Sequence, residues 1–538
     1  MSWKINANKK THNRGIKTFP KWLLRTVISI YVFIILSIYP LATRNKYYDI
    51  GDFKYEFFKN VTLVAMITML VLLPIHLLCE KDRITWKLRK ATISLTDLFV
   101  FGYLVASILS FILSNYKDSA VEGWNGWFMG VFAQIAFVLI YLFVSRFWKW
   151  DSFAVFSYLG VAAVVFLFAI LHRFLIDPLG FYDGLNPAYF INFLTTQGQA
   201  TWYSSYLCAI FPLGLFFFWH CKKNSSRAFA TIFTVLSFST LVTQNSDSAF
   251  IALTLVLMVF FWFSMESNEK WKRFWEIIIV MLTSFRVIGL FQLILKKRAV
   301  QLEDLSIFAS QHWIIAVILI IAIVIYLVSY KLEVNGKLDI TKFKILRKIM
   351  IWAAAFVVAG MVAIIVANTK GILGHSFKGY LFFDKSWGNG RGFTWAYSVD
   401  MFRELPLLQK IFGVGPDCFA AYSYEYHAEY LNTMWGNSIL PNAHNEWLNS
   451  LLCYGIVGAI AYIGIFLTAV KRFLGNSSKK PILIAFGACI LSYMGHNLFC
   501  YQQCICTPTI FILIGIGEYI ARTDGFKNKL TFLGNSKC

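Results

Sequence analysis

Apolar residues in this chain come in runs of about twenty, the length a helix needs to cross a bilayer, and short polar clusters separate one run from the next. The runs begin near Leu23, Val61, Leu98, Met129, Val155, Tyr203, Ala228, Ala249, Ile277, Trp313, Ile349, Trp447, Ile482 and Ile505. This pattern predicts about 14 transmembrane helices of roughly 17 to 25 residues each. One long hydrophilic stretch interrupts it, from Thr369 to Pro441. At roughly seventy residues it far exceeds an ordinary connection, so it predicts a functional loop with short helices of its own. The expected fold class is therefore all-α: a polytopic transmembrane helix bundle. Residues 1–368 carry helices 1–11, residues 369–446 form a large extracytoplasmic loop, and residues 447–538 carry helices 12–14.

Composition agrees with that pattern. A chain of 538 residues that is 58% hydrophobic and only 14% charged is too apolar for a water-soluble globule. The net charge of +22 raises the question of a polynucleotide partner, and the positions of the basic residues answer it. Lys9, Lys10, Arg14, Lys17, Lys21 and Arg25 precede the first run; Lys81, Arg83, Lys87, Arg89 and Lys90 follow the second. Later clusters, such as Lys222-Lys223, Lys471-Arg472 and Lys479-Lys480, again follow an even number of runs. That is positive-inside asymmetry, with no nucleic-acid partner implied. Both termini are expected in the cytoplasm, with the first run a retained signal anchor because no small-residue cleavage site follows it.

One basic cluster, Lys296-Lys297-Arg298 with Glu303 and Asp304 after it, falls on the outer side. Either the runs near Ile277 and Trp313 are misplaced, or this patch holds an extracytoplasmic anion. Arg286, inside the same apolar segment, requires a protein or water partner at that depth. The cysteines, including Cys500, Cys504 and Cys506 on one outer turn, show no metal-ligand spacing and read as small apolar side chains. A second outer connection, His172 to Thr201, is rich in Asp, Pro, Gly and aromatics and is expected to cover the same cavity as the long loop.

Candidate chemistry collects at the end of that loop. Pro441 and Asn442 predict a turn and an N-cap, which places His444 in the first turn of the following helix. The helix dipole there disfavours imidazolium, and a general base must be neutral. Glu446 or a backbone carbonyl would then fix the tautomer. A lone interfacial histidine is usually no more than a cap, so the weight rests on what precedes it. In Gly388-Asn389-Gly390-Arg391 a flexible backbone precedes a guanidinium, the group that binds phosphate oxygens bidentately. Gly413-Val414-Gly415-Pro416 predicts a tight turn into a helix whose free N–H groups face an anion.

Taken in order, Arg391-x3-Trp395, Pro406-Leu407-Leu408, Gly413-x-Gly415-Pro416-x2-Phe419 and His444-Asn445-Glu446 before an apolar helix form a specific run. It resembles the O-antigen ligase and polymerase superfamily of bacterial membrane glycosyltransferases, most strongly from Arg391 to about Gly464. The resemblance implies a metal-independent enzyme without cofactors, in the cytoplasmic membrane. Its partners would be an undecaprenyl-diphosphate-linked glycan donor, a saccharide acceptor and the lipid bilayer; oligomeric state is left open. It also implies that His444 activates the acceptor hydroxyl, that Arg391 holds the donor diphosphate, and that Gly413, Gly415, Asn445 and Glu446 contact substrate beside them. One departure stands out. Where the family often carries Ser-Arg-Gly at an outer helix edge, this chain has Ser246-Asp247-Ser248. Arg173, Arg403 or the Lys297/Arg298 patch is expected to supply the missing second cation, with Asp247 free to orient the acceptor or the base.

Direct attack by the acceptor would invert the anomeric centre. A double displacement would need a carboxylate nucleophile, and Asp400, Glu404, Asp417 and Glu425 read only as exposed helix positions. The rival class is a polyprenyl-linked oligosaccharide flippase or solute transporter. Against it, ionisable residues are sparse within the runs, the polar groups gather on one face, and no inverted repeat is visible.

Overall fold

A bilayer offers backbone amides no water, so each apolar run must satisfy its own N–H and C=O groups, and helices do so. The computed structural model describes residues 21–79, 93–436 and 438–523. The first half comprises α1 (Lys21–Ile38), α2 (Ile50–Cys79), α3 (Leu95–Leu113), the short α4 (Lys117–Glu122), α5 (Val131–Phe147), α6 (Ser152–Arg173), α7 (Ala200–His220), α8 (Asn224–Thr243) and α9 (Ser248–Ser264). There follow α10 (Asn268–Ile294), the short α11 (Asp304–Gln311), α12 (Trp313–Val334) and α13 (Ile345–Thr369). The long loop folds as α14 (Trp387–Glu404), α15 (Leu407–Phe412) and α16 (Phe419–Trp435), and the chain closes with α17 (Glu446–Gly475), α18 (Leu483–His496) and α19 (Thr507–Arg522). One two-residue hairpin, β1 (Phe193–Leu194) with β2 (Gly198–Gln199), lies between α6 and α7.

All fourteen predicted positions hold a helix, and ten of these are long and apolar enough to cross a membrane. The exceptions are α5, α9, α18 and α19, of which α18 has only 14 residues. At 14 and 16 residues, α18 and α19 fall short of the roughly 17 to 25 expected, whereas α5 and α9 meet it at 17 and α2 and α17 exceed it at 30; burial explains the short pair, because a helix surrounded by protein need not match the hydrocarbon thickness. Burial runs from 94% for the apolar window of α7 to 0% for that of α13, so α7 forms the centre and α13 the lipid-facing edge.

At one face, buried acids clasp the ends of four helices. Asp97 of α3 meets Arg146 of α5 at 2.9 Å and also Arg522 of α19, while Glu518 of α19 meets Arg472 of α17 and Arg522, both at 2.8 Å. The expected clusters at Lys9 to Lys17 and Lys81 to Lys90, and both chain ends, lie outside the described residues. Arg286 faces protein: it donates to the carbonyls of Ser310, Gln311 and His312, capping α11.

The long loop is fastened to α17. Gly455 breaks α17 at φ 67°, and the loop turn fills the gap: the N–H of Val414 donates to Leu452 C=O at 3.0 Å and that of Gly415 to Cys453 C=O at 3.2 Å. Ser114 Oγ of the neighbouring turn donates to Val414 C=O at 2.7 Å. Gly413 sits at φ 83°, and a Cβ there would lie 2.2 Å from the Cys453 carbonyl oxygen. Gly413→Ala should therefore cost about 1–3 kcal/mol and lower the melting temperature in detergent. Gly475→Ala, where a Cβ would meet nothing within 4 Å, should not.

Candidate active site

His444 does not fall inside a helix. Asn445 is the N-cap of α17, its Oδ1 accepting from the N–H groups of Trp447 and Leu448, both at 3.0 Å. His444 precedes it in a left-handed conformation, φ 47°, that is held by Asn442 Oδ1 accepting from the His444 N–H at 2.9 Å. Capping thus falls to Asn445 rather than Asn442, because Asn442 uses its side chain on the preceding turn. Asn445 Oδ1 is engaged in that cap. The ring of His444 stands edge-on to Tyr501, centroids 5.3 Å apart, and makes no hydrogen bond to a described residue. Burial, reinforced by the positive charge of Arg391, lowers its pKa to about 3. The imidazole is neutral, as expected, but burial rather than the helix dipole is the main cause.

Glu446 does not hold the imidazole. It turns into the bundle, where its carboxylate accepts from the hydroxyls of Tyr462 and Tyr493 and from the amide of Asn497. A carboxylate one residue into a buried helix finds donors below it before it finds water, which removes Glu446 from the substrate contacts.

Arg391 stands where α14 becomes regular, after Gly388, Asn389 and Gly390 in left-handed conformations. It donates to Gly388 C=O at 2.8 Å and to Phe499 C=O at 3.1 Å, and its Nε is buried without a partner. Burial lowers its pKa, yet a guanidinium stays charged. Arg391 lines a cavity of about 540 Å³ and is the one cationic side chain among the described lining residues. The wall includes Gln199, Ala200 and Thr201 at the start of α7, the turn from Asn245 to Ser248 into α9, Glu303 and Leu305, the end of α13 and Phe499. The segment before α7 thus contributes to this cavity along with the long loop. His444 does not line it. Tyr501 links the two, its ring against His444 and its hydroxyl 3.5 Å from Gln199 Oε1 on the wall.

None of the candidates for a second cation reaches the cavity. Arg173 is fully buried and spends its guanidinium on the carbonyls of Thr243 at 2.6 Å, Phe190 at 3.0 Å and Gln244 at 3.4 Å, fastening the turns that shape the wall. Arg403 lies exposed at the far end of α14, paired with Asp400 at 3.1 Å. Lys297 and Arg298 are exposed beyond α10, itself of membrane-crossing length, so the run near Ile277 is not misplaced. Gly413 and Gly415 hold the loop to α17, and the N–H of Gly415 is already bonded, so they present nothing to an anion. Asp417 is not on an exposed helix face either: it is buried, accepts from the N–H groups of Trp124 at 2.7 Å and Met129 at 3.1 Å, and burial raises its pKa to about 7. Asp247 does line the cavity, its carboxylate accepting from the Tyr380 hydroxyl.

Sequence reasoning missed Tyr380, Phe499, Tyr501 and Glu303. Glu303 was visible only as part of a charge cluster, and the three aromatics lie on short turns with no periodicity to mark them.

Fold and site together define a multi-pass, all-α membrane protein with a polar chamber at one face. Residues 305–463, from α11 through the long loop into α17, match the family model described as O-antigen ligase, which supports the resemblance to the O-antigen ligase and polymerase superfamily. No curated protein matches the chain.

An unfolded histidine takes up its proton near 6.5 and folded His444 only near 3, so acidification through that window favours the unfolded chain. The measurable counterpart is the imidazole itself. In ¹³C-histidine NMR, the signal lost in His444→Gln should stay in its neutral position down to pH 5. Titration near 6.5 would mean a solvated ring.

Proposed function

We propose that the protein transfers a glycan from an undecaprenyl-diphosphate carrier to the hydroxyl of an acceptor sugar at the outer face of the cytoplasmic membrane. The observation that carries this reading is the placement of Arg391: a buried guanidinium with a free Nε donor, in the wall of a cavity, near enough for its charge to act on a neutral histidine. The rest of the cavity offers an apolar wall and two helix N-termini, alongside the carboxylates of Asp247 and Glu303. Phe250 and Ile251 of α9 and Met361 and Ile365 of α13 give it an apolar wall beside lipid, which fits an isoprenoid chain. The starts of α7 and α9 give it two helix N-termini, whose partial positive charges favour a diphosphate where no second arginine reaches.

The chemistry is one displacement. The acceptor oxygen attacks the anomeric carbon, its proton passes to a ring nitrogen of His444, and the bond from carbon to phosphate oxygen breaks with its electron pair leaving on the diphosphate, beside Arg391. The donor arrives activated, so the protein positions two sugars, removes one proton and stabilises one leaving group. Inversion follows from direct attack, and no step calls for a metal. His444 reaches the cavity through Tyr501, so Tyr501 must yield when the acceptor arrives. A flippase or transporter would instead gather its polar groups near the bilayer midplane.

The test is transfer by purified protein from an undecaprenyl-diphosphate oligosaccharide, with and without candidate acceptors; a ladder of products marks a polymerase and a single step a ligase. His444→Ala should lose transfer by at least the ~10²-fold typical of a missing general base while staying inserted and stable. A variant with near-normal turnover would exclude His444 as the base. Arg391→Lys should also fail, because an ammonium cannot reproduce the guanidinium fork. Normal turnover in Arg391→Lys would remove Arg391 from the diphosphate site.

A further inference from the structure

A second cavity, of about 650 Å³, adjoins the first and shares Asp247, Glu303, Tyr380 and Trp387 with it. Neither Arg391 nor His444 lines it. Its walls carry aromatic rings on a fixed frame. Trp387 Nε1 donates to Tyr380 C=O at 3.0 Å, the two rings meet edge to face at 6.1 Å, and the Tyr380 hydroxyl donates to Asp247. Phe308 and Tyr380 stay about half-exposed there, at 46% and 52%. Asn245, from the wall of the first cavity, holds the backbone at Glu303, donating to Gln301 C=O at 2.9 Å and accepting from the Glu303 N–H at 3.2 Å. One oxygen of Asp247 is buried with no partner.

The charge of this cavity is one-sided. Asp247, Glu303, Asp304 and Asp384 face a single ammonium, Lys378, so four negative charges less one positive leave a formal −3. The carboxylates act on one another: burial first, then the charges of Asp247 and Asp304, raise the pKa of Glu303. Ring faces beside hydrogen-bond acceptors make an amphipathic wall suited to a sugar, whose C–H face is apolar and whose edge is a row of hydroxyls. An anionic sugar would meet like charge at short range.

We propose that this cavity is a saccharide site that accepts neutral and amino-bearing sugars and rejects acidic ones such as uronic acids. The inference rests on the reading of the protein as a glycan transferase and names the class of glycan. Its test reads binding, so it does not depend on turnover.

The full-length protein in phosphatidylcholine nanodiscs, which add no lipid charge, is titrated calorimetrically at low salt with tetramers of glucosamine, N-acetylglucosamine and galacturonate. The glucosamine tetramer should bind best, the N-acetylglucosamine tetramer next, and galacturonate at least about tenfold more weakly than either, a gap of ~1.4 kcal/mol. The double variant Glu303→Gln, Asp304→Asn should narrow that gap, as should high salt, while Trp387→Ala should weaken the two bound sugars together. Equal or tighter binding of galacturonate, no binding of any tetramer, or an order indifferent to the double variant would overturn the proposal. A wild-type protein that transfers no glycan yet keeps the order would defeat the active-site reading and leave the saccharide site standing. A His444→Ala protein that loses transfer and keeps the order supports both.

Discussion

The site depends on a backbone-to-backbone clasp. Where Gly455 breaks α17, the carbonyls of Leu452 and Cys453 accept hydrogen bonds from the N–H groups of Val414 and Gly415. An unpaired backbone group in such a place is costly, so the break in the helix and the turn in the loop stabilise each other. Ser110 of α3 adds a hydrogen bond to Cys453 C=O at 2.6 Å. The clasp carries consequences in both directions along the chain. Upstream it holds the loop that delivers Arg391; downstream it sets the first turns of α17, and with them Asn445 and the strained backbone of His444.

The helices were legible because the bilayer leaves the chain little choice. A run of apolar residues must become a helix, and every predicted run did. Lengths were less legible, since α18 is short only because it is surrounded, and no run announces its neighbours. The loop was legible as a polar interruption, and its short helices followed from its length. At the site, residue type and side-chain direction came apart. Arg391 and His444 stood out by type, but which way a side chain faces is decided by tertiary partners. Glu446 is the sharpest case: one residue from His444 in sequence, it is drawn away by Tyr462, Tyr493 and Asn497, which lie 16 to 51 residues further on. Arg173 was equally open to misreading, because a buried arginine serves turn carbonyls as readily as phosphate. The glycines of the Gly413 turn suggested an anion cradle, and what their missing side chains admit is the broken strand of α17's own backbone.

Asp247 shows how a single carboxylate ties a helix edge to the loop. A carboxylate at that helix edge, beside lipid and close to Arg391, needs a donor, and Tyr380 from the loop supplies it. Tyr380 stands in the walls of both cavities, as do Asp247, Glu303 and Trp387, so the two chambers share one side.

The two cavities differ in charge by degree. The cavity that Arg391 lines also carries Asp247 and Glu303, one positive charge against two negative, a formal −1, and the cavity beside it carries a formal −3. A leaving diphosphate is anionic and must be held where its charge develops, whereas a sugar hydroxyl needs acceptors and tolerates no competing cation. On the proposed reading, Arg391 must hold the diphosphate against Asp247 and Glu303, which line the same cavity, while Asp304 and Asp384 line only the second. Burial favours the neutral form of His444, so its ring adds no charge to either cavity. On the proposed mechanism, a base of that kind takes on its positive charge only as the proton arrives, which is when the departing diphosphate gains negative charge.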